Sequence, residues 1–279
     1  MHTITKRDVS SLFPPRPDWS HKGQAGKLLV IGGSWRYSGS PAFVALAAIR
    51  SGADLTLVAA PKRAADIIAG MQPDLITEPL HCDHLCVHET RHLTGLIKWA
   101  DAIVIGGGLD RKKTTYKTIR ALLRKTEKPC VLDAEALRAV AGYPSLLRRN
   151  FILTPHENEF EALGGGRPRR SIRERSNQVK GLSGRLKTTI LLKGSVDVIS
   201  DGKNTALNRT GSPYMTKGGT GDALAGICGA LLARGKGPFE SAGTAAWING
   251  SAGQLASRKI GPGFFVSEML DFIPKVIWG

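Results

Sequence analysis

A repeated alternation of short apolar segments with longer helical segments constrains the fold more than any other feature of the sequence. The first unit is an apolar run at 27–31 that ends in Gly32-Gly33-Ser34 and leads into a helical pattern at 41–51. The same order recurs three times, with apolar segments at 54–59, 102–105 and 130–132 and helical patterns at 61–70, 112–126 and 134–141. Such alternation predicts an α/β fold with a mainly parallel central sheet and helices on both faces.

The second half of the chain continues this pattern with a change of spacing. A strand is predicted at 151–153, and Thr154-Pro155 after it has the capping hydroxyl and first-turn proline that begin a helix. Strands at 189–192 and 196–200 flank a turn, with a third candidate at 204–208, and helical regions at 219–234 and 239–256 follow. No stretch has the composition of a linker, so we predict one domain over residues 1–279.

Charge and composition limit the classes of function. The formal net charge is +16, but the densest basic stretch, at 167–185, has no interleaved aromatic residue and no helix-turn-helix or zinc-finger spacing beside it. We therefore predict no nucleic-acid function, and a solvated surface whose positive field favours small anionic substrates.

Location follows from the segments that the sequence lacks. Residues 1–20 contain no apolar run of the signal-peptide type, and the longest apolar stretch, at 223–233, is too short to span a bilayer. Four cysteines are too few for a disulfide scaffold at this length, which is typical of a reducing compartment. We expect a cytoplasmic protein with no membrane association.

The segment with the clearest chemistry is Gly218-Gly219-Thr220-Gly221-Asp222, which precedes an apolar helix. Free N–H groups and the helix dipole attract anions at a helix start, and glycines allow close approach of a phosphate. Gly219, Thr220, Gly221 and Asp222 are therefore predicted to form an anion hole, with Asp222 as the catalytic base that accepts a proton from a substrate hydroxyl. The alternative is a glycine-rich loop with a helix-capping aspartate. The sequence contains neither G-x-x-x-x-G-K-[ST] nor a G-x-G-x-x-G after the first strand.

The chain resembles the ADP- or ATP-dependent NAD(P)H-hydrate dehydratases of the ribokinase-like superfamily over nearly its whole length. The residues that carry the resemblance are His21-Lys22-Gly23, the segment 27–34, Tyr37 to Pro41, Gly106-Gly107-Gly108, Leu132-Asp133-Ala134, Leu153 to His156 with Glu159-Phe160, Leu192-Lys193-Gly194 and Gly218 to Asp222.

This resemblance implies a ribokinase-like fold and a metabolite-repair lyase that acts on the S-form of hydrated NADH or NADPH. The ring hydroxyl is phosphorylated by ADP or ATP with Mg²⁺, and phosphate is then eliminated. No protein metal ligand is assigned. An epimerase for the two hydrate forms is expected to be a separate chain, because the N-terminal region is too short for one. Members of the superfamily often form homo-oligomers, and the sequence leaves the oligomeric state open.

Site residues follow from the resemblance, position by position. The hydrated dinucleotide is expected to contact Ser40, Gly108, His156 and Asp222. The nucleotide is expected to lie along Lys193, Gly194, Ser195, Val196 and Asp197 and against Gly221. The chain departs from the family pattern at three places: Ser40 replaces the usual alanine, Glu157-Asn158-Glu159 the usual Pro-Gly-Glu, and Ser212-Pro213-Tyr214-Met215 the usual Asn-Pro-Gly-Met.

Some features have competing interpretations. The segment 81–88 contains five histidines and cysteines that could bind a metal, but it lacks paired clips of the structural zinc type, so an ordinary edge segment is expected. Without the resemblance, His156 fits a capping or core histidine equally well, and Lys193 fits a surface lysine at a hairpin turn. Trp247 and the small residues at 245–256 are expected to serve helix packing.

Two other functions remain open at this stage. One is a small-molecule kinase of the same superfamily, acting on a hydroxymethylpyrimidine or a thiazole alcohol, because the anion hole and Asp222 serve either reaction. The other is a nucleotide-binding regulator without catalysis, indicated by the altered residues Glu157-Asn158.

Overall fold

Ten strands form one continuous sheet in the computed structural model, which describes every residue from 1 to 279. In chain order they are β1 (His2–Thr3), β2 (Lys27–Ile31), β3 (Leu55–Pro61), β4 (Ile76–Leu80), β5 (Ala102–Ile105), β6 (Cys130–Leu132), β7 (Phe151–Leu153), β8 (Thr189–Leu192), β9 (Asp197–Ser200) and β10 (Thr205–Asn208). Their order in the sheet is β1-β10-β9-β8-β7-β6-β5-β2-β3-β4. Strand β9 is antiparallel to β8 and β10, and every other pair is parallel, which confirms the predicted mainly parallel sheet.

Helices cover both faces of this sheet. They are α1 (Lys6–Ser10), α2 (Gly39–Arg50), α3 (Lys62–Ala69), α4 (Thr90–Trp99), α5 (Lys113–Lys125), α6 (Glu135–Val140), α7 (Glu157–Phe160), α8 (Ile172–Leu186), α9 (Thr220–Ala233), α10 (Pro238–Lys259), α11 (Val266–Leu270) and α12 (Ile273–Trp278). Alternate residues of β2 belong to two separate cores: Leu28 and Val30 pack with α2, α9 and α10, whereas Leu29 and Ile31 pack with α4, α5 and α8. Burial on both faces explains why the parallel strands are continuous apolar runs.

The sheet has a switch point between β2 and β5. From β2 the chain continues to β3 and β4 on one side, and it then returns to β5 on the other side. The loops that follow β2 and β5 therefore lie side by side, and the Gly33 amide donates to the Gly107 carbonyl at 2.9 Å. Open α/β sheets bind ligands in the crevice at such a point.

The predicted helix start at Thr154-Pro155 is wrong. Helix α7 begins at Glu157, and His156 caps it with its ring. Thr154 instead turns its hydroxyl inward to Asp133, and the Pro155 carbonyl accepts from the Lys193 amide at 2.9 Å. The Thr154 hydroxyl is bonded to the residue after β6, and the Pro155 carbonyl is bonded to the residue after β8. Neither group therefore takes part in the start of the helix.

The structure also corrects the expectation for the cysteines. Cys82 and Cys86 are joined by a disulfide within the segment 81–88, whereas Cys130 and Cys228 are free and buried. The Cys82 and Cys86 sulfurs and a ring nitrogen of His88 lie within 4.8 Å of one another, so this segment is more organised than the ordinary edge that the sequence predicts. None of the helices combines the length and apolar character that crossing a bilayer requires.

Candidate active site

The start of α9 presents backbone amides without protein acceptors. Gly219 has a φ of 103°, in the left-handed region, and a β-carbon there would lie 2.9 Å from the Phe43 ring, so only glycine fits. The first amide of the helix that is bonded is Ala223, which donates to the Gly219 carbonyl. The amides of Thr220, Gly221 and Asp222 have no acceptor in the protein. Amides without protein partners at a helix start are the geometry that the predicted anion hole requires.

Thr220 contributes its backbone to this hole and its side chain to the preceding loop. Its hydroxyl oxygen lies 3.0 Å from the carbonyl oxygens of Met215 and of Lys217. On the other side of the helix start, the Asn249 amide of α10 donates to the Thr220 carbonyl at 3.3 Å. These contacts fix the loop from residue 215 to the first turn of α9, so its free amides keep one orientation.

Asp222 is the carboxylate of this helix turn. Burial and, to a smaller degree, the negative charge of Asp133 raise its pKa to about 7, against the lowering effects of the Ser40 hydroxyl and the Lys193 ammonium. A β-carbon at Gly107 would lie 2.6 Å from Asp222 Oδ1, so the carboxylate rests against the backbone of the loop after β5. A carboxylate whose pKa lies near neutrality suits a general base.

An ion pair stands beside the anion hole. Lys193 Nζ lies 2.9 Å from Asp133 Oδ1, and the Thr154 hydroxyl donates to the same oxygen at 2.7 Å. Burial lowers the pKa of Lys193, but the carboxylates of Asp133, Glu159 and Asp222 outweigh it and raise that pKa above its usual value. The ammonium is 3.5 Å from where a β-carbon of Gly221 would lie. Lys193 is therefore a cation held at the helix start, and the interpretation as a surface lysine is wrong.

The sequence indicated no role for Asp133, although it directly follows β6. The backbone holds it tightly: Ala134 has a positive φ of 48°, and any β-carbon at Gly106 would overlap the Asp133 carbonyl. A non-glycine residue in this region costs about 1 kcal/mol or more and is typical of functional sites. An aspartate at the carboxyl end of a buried parallel strand was the available signal.

The predicted nucleotide-binding residues form one turn between β8 and β9. The Asp197 carboxylate accepts from the Gly194 amide and from the Asn208 side chain, each at 2.9 Å. Burial raises the pKa of Asp197 to about 6, while these two hydrogen bonds lower it. Gly194 and Ser195 are exposed at the tip, and Val196 and Asp197 are half-buried. The hydrogen bonds of Asp197 therefore fix the turn, and Gly194 and Ser195 at its tip are accessible to solvent.

Arg175 of α8 contacts this turn, and the sequence did not predict this role for Arg175. Its guanidinium donates to the Lys193 carbonyl at 3.0 Å and to Glu157 Oε1 at 2.6 Å, and its Nε is buried without a partner. Arg175 lies in the basic stretch that the sequence assigned to a solvated surface, but its side chain is only 10% exposed. The Arg175 guanidinium therefore links Glu157 at the start of α7 to the turn between β8 and β9.

The predicted dinucleotide contacts divide into two groups. Ser40 in the first turn of α2 packs against Gly108, since a β-carbon at Gly108 would lie 3.2 Å from the Ser40 β-carbon, and Gly107 connects both to Asp222. His156 follows the end of β7, which β6 separates from β5 in the sheet, and its Nδ1 accepts from the amides of Asn158 and Glu159 at 3.1 and 3.3 Å. Its Nε2 lies 3.3 Å from Glu159 Oε1, and its side chain is 48% exposed.

Comparison with known proteins gives a consistent result. The family model described as NAD(P)H-hydrate dehydratase matches residues 28–275. The ADP-dependent (S)-NAD(P)H-hydrate dehydratase of Cenarchaeum symbiosum is 40% identical over 98% of this chain and 96% of its own. The bifunctional NAD(P)H-hydrate repair enzyme Nnr of Methanothermobacter thermautotrophicus is 43% identical over 95% of this chain. This chain spans only 52% of the length of that relative.

Solved structures agree on the fold. The ADP/ATP-dependent NAD(P)H-hydrate dehydratase from Bacillus subtilis, co-crystallised with ATP and Mg²⁺, superposes with a TM-score of 0.83 at 26% identity, over 99% of this chain and 97% of that one. A hydroxyethylthiazole kinase from Pyrococcus horikoshii superposes with a TM-score of 0.65 at 18% identity, over 96% and 92% of the two chains, which supports the fold alone. The predicted ribokinase-like fold is thereby confirmed.

Proposed function

This chain belongs to the NAD(P)H-hydrate dehydratase family, and from that premise we propose that it dehydrates the S-form of hydrated NADH or NADPH with ADP or ATP as co-substrate. One observation carries the proposal: the Asp222 carboxylate lies in the same helix turn as unpaired amides, beside the Lys193 ammonium. A base next to an anion hole is what phosphorylation of a hydroxyl requires.

In the proposed reaction, Asp222 accepts the proton of the ring hydroxyl while that oxygen attacks the terminal phosphorus of the nucleotide. The bond to the leaving nucleotide breaks, which releases AMP from ADP or ADP from ATP. The lone pair of the ring nitrogen then expels inorganic phosphate, and loss of a proton from the neighbouring carbon restores the dihydropyridine. Amides from Gly219 to Asp222 and the Lys193 ammonium stabilise the negative charge on the migrating group.

The two ligands are proposed to approach from opposite sides of Asp222. Ser40, Gly108 and His156 lie on the side of α2 and the loops after β5 and β7, and they would contact the hydrated dinucleotide. The turn from Lys193 to Asp197, together with Gly221, would contact the nucleotide. Lys193 supports this division because its ammonium joins the turn to the helix start.

The residues present fit a magnesium ion that arrives with the nucleotide. Both protein contacts of the Asp133 carboxylate use Oδ1, so its Oδ2 has no hydrogen-bond partner in the buried site. Mg²⁺ binds through one or two carboxylates together with substrate phosphates. Asp133 is the residue that would hold the ion, with Asp222 nearby, and the ion would neutralise phosphate charge.

The direct test is incubation with hydrated NADH, Mg²⁺ and either ADP or ATP, with the absorbance of the dihydropyridine band as readout. Recovery of the band with stoichiometric release of phosphate is expected, and the two nucleotides are compared in parallel. A stable phosphorylated alcohol formed from a hydroxymethylpyrimidine or a thiazole alcohol, with no recovery of the band, would instead indicate a kinase. Tight ADP binding without conversion of any hydrate would indicate a regulator.

The setting of this activity is also part of the proposal. We place one catalytic domain over residues 1–279 in the cytoplasm, supplied with the S-form by an epimerase. Addition of that epimerase to an equal mixture of the R and S epimers should raise the recovered absorbance from about half to nearly all, because only one form is consumed directly. Light scattering of the purified chain tests whether it forms a homo-oligomer.

A further inference from the structure

A cavity of about 520 Å³ lies at the far ends of two helices that begin at the candidate active site. Helix α2 begins beside Ser40 and ends at Arg50, and α9 begins at Thr220 and ends at Ala233. At 1.5 Å per residue these helices separate their two ends by about 18 to 21 Å. The cavity is therefore distinct from the site around Asp222.

Three side chains surround the backbone of Gly52 in this cavity. A β-carbon at Gly52 would lie 3.4 Å from an Arg234 nitrogen, 3.5 Å from the Trp278 ring and 3.6 Å from an Arg16 nitrogen. Gly52 has a φ of +89°, which other residues rarely adopt, and its carbonyl accepts a hydrogen bond from Arg16 Nη2 at 2.7 Å. Two guanidinium groups and an indole thus border one small space.

The cavity has more positive than negative charge. The one carboxylate there, Asp54, pairs with Arg16 at 2.7 Å, and its other oxygen accepts the amides of Gly23 and Ala25. Arg234 has no carboxylate within 4.0 Å, and its single hydrogen bond, to the Ser51 carbonyl, is 3.4 Å long. Burial lowers the pKa of Arg234, and the charge of Arg16 lowers it further. A half-buried cation next to another cation is stabilised by an added anion.

The remaining walls are aromatic. Arg234 stacks over the Phe13 ring at 4.7 Å, and Phe13 meets Trp278 edge to face at 5.7 Å between ring centroids. Trp278 is 56% exposed, so one face of its indole is available. Guanidinium groups bind phosphate through paired N–H donors, and an exposed indole stacks on planar rings.

We propose that this cavity binds a small aromatic anion of mononucleotide size, with its phosphate between Arg16 and Arg234 and its ring on Trp278. The volume lies within the range of small-molecule sites. The proposal does not depend on the activity proposed above, because no residue of the cavity belongs to the site around Asp222.

The test is calorimetric titration of the folded chain with adenosine 5′-monophosphate. Two binding events are expected: Arg234→Gln removes one, and Lys193→Gln weakens the other. Arg234→Lys, which keeps the positive charge but loses the paired N–H donors of the guanidinium, should retain part of the binding in the cavity at Arg234. Arg173→Gln, an exposed arginine of α8 with no ion pair, is the matched control and should titrate like the unaltered chain.

Two comparison ligands and a second variant complete the design. Adenosine lacks the phosphate and ribose 5-phosphate lacks the ring, so each should bind the distal site at least about tenfold more weakly. Trp278→Ala should weaken the monophosphate at that site and leave ribose 5-phosphate unchanged, even if Arg234→Gln does not fold. The proposal is overturned if folded Arg234→Gln titrates like the unaltered chain, or if Lys193→Gln removes all binding.

Discussion

At the scale of single residues, Asp222 is placed where its charge suits the proposed catalysis and is unfavourable for folding. Burial and Asp133 raise its pKa to about 7 from a usual value near 3.8, so the folded chain binds a proton more tightly than the unfolded chain. The free energy of unfolding therefore falls as the pH rises between these two values, and the ionised carboxylate destabilises the fold at higher pH.

Asp222→Asn should separate these two effects. Turnover is expected to fall by about 10²- to 10⁴-fold because the base is lost, with nucleotide affinity kept. At the same time the free energy of unfolding at pH 8 should rise by about 1–3 kcal/mol, since the buried charge is removed. Stopped assays and denaturant melts measure the two quantities. Near-normal turnover of this variant would contradict the role of Asp222.

The pH profile of the unaltered chain gives an independent check. Since Asp222 must be ionised to accept a proton, kcat/KM is expected to rise about tenfold per pH unit below 7 and to level off above it. Initial rates between about pH 5.5 and 8.5 at constant ionic strength measure this profile. A flat profile over that range would mean that another group sets the rate.

Gly107→Ala tests the fit of the carboxylate against the loop after β5. The added methyl would lie 2.6 Å from Asp222 Oδ1, so the carboxylate must move and kcat should drop by about tenfold or more. Gly263→Ala, also in a loop and with no atom within 4 Å of the added methyl, is the control and should leave kcat unchanged. Equal kinetics of the two variants would show that Asp222 tolerates displacement.

At the scale of elements, the close packing of α2 on α9 holds the site together. The Gly226 backbone in α9 touches the Val44 carbonyl of α2, and any β-carbon there would overlap that oxygen. Gly226→Ala should therefore lower the free energy of unfolding by about 1–3 kcal/mol. Gly181→Ala in α8, where the added methyl meets only a flexible arginine end, should be neutral or stabilising. Thermal melts of both variants decide between these outcomes.

Much of the element order could be predicted from the sequence. The buried strands β2, β5, β6 and β7 have the predicted bounds because both of their faces are apolar. Strand β4, at the sheet edge, was missed since its residues Ile76 to Leu80 include an exposed isoleucine, a glutamate and a proline. Helix α8 was missed because its many arginines conceal the buried positions Val179 and Leu182.

The candidate site was predictable only where local sequence determines it. The anion hole depends on glycines adjacent in the chain, so the segment 218–222 revealed it. The Lys193–Asp133 pair joins residues 60 positions apart, and no local pattern contains that contact. His156 was expected as a ligand with a capping histidine as the alternative, and the structure shows that its ring caps α7.

At the scale of the whole molecule, the net charge of +16 should act on binding rates. Hydrated dinucleotides and nucleotides are anions, and a positive field increases their encounter rate in a way that salt screens. Raising KCl from about 0.05 to 0.5 M should lower kcat/KM several-fold and leave kcat nearly unchanged. Steady-state rates across that series measure the effect. A parallel fall of kcat would point to loss of structure instead.

The two borders of the sheet have a consequence for self-association. On one border β1 has only two residues, and on the other β4 contains Pro79, which has no amide hydrogen to donate. Neither border offers a long row of free backbone donors and acceptors to a second chain. We therefore expect contacts between copies of this protein to use helices or loops and not pairing of sheet borders.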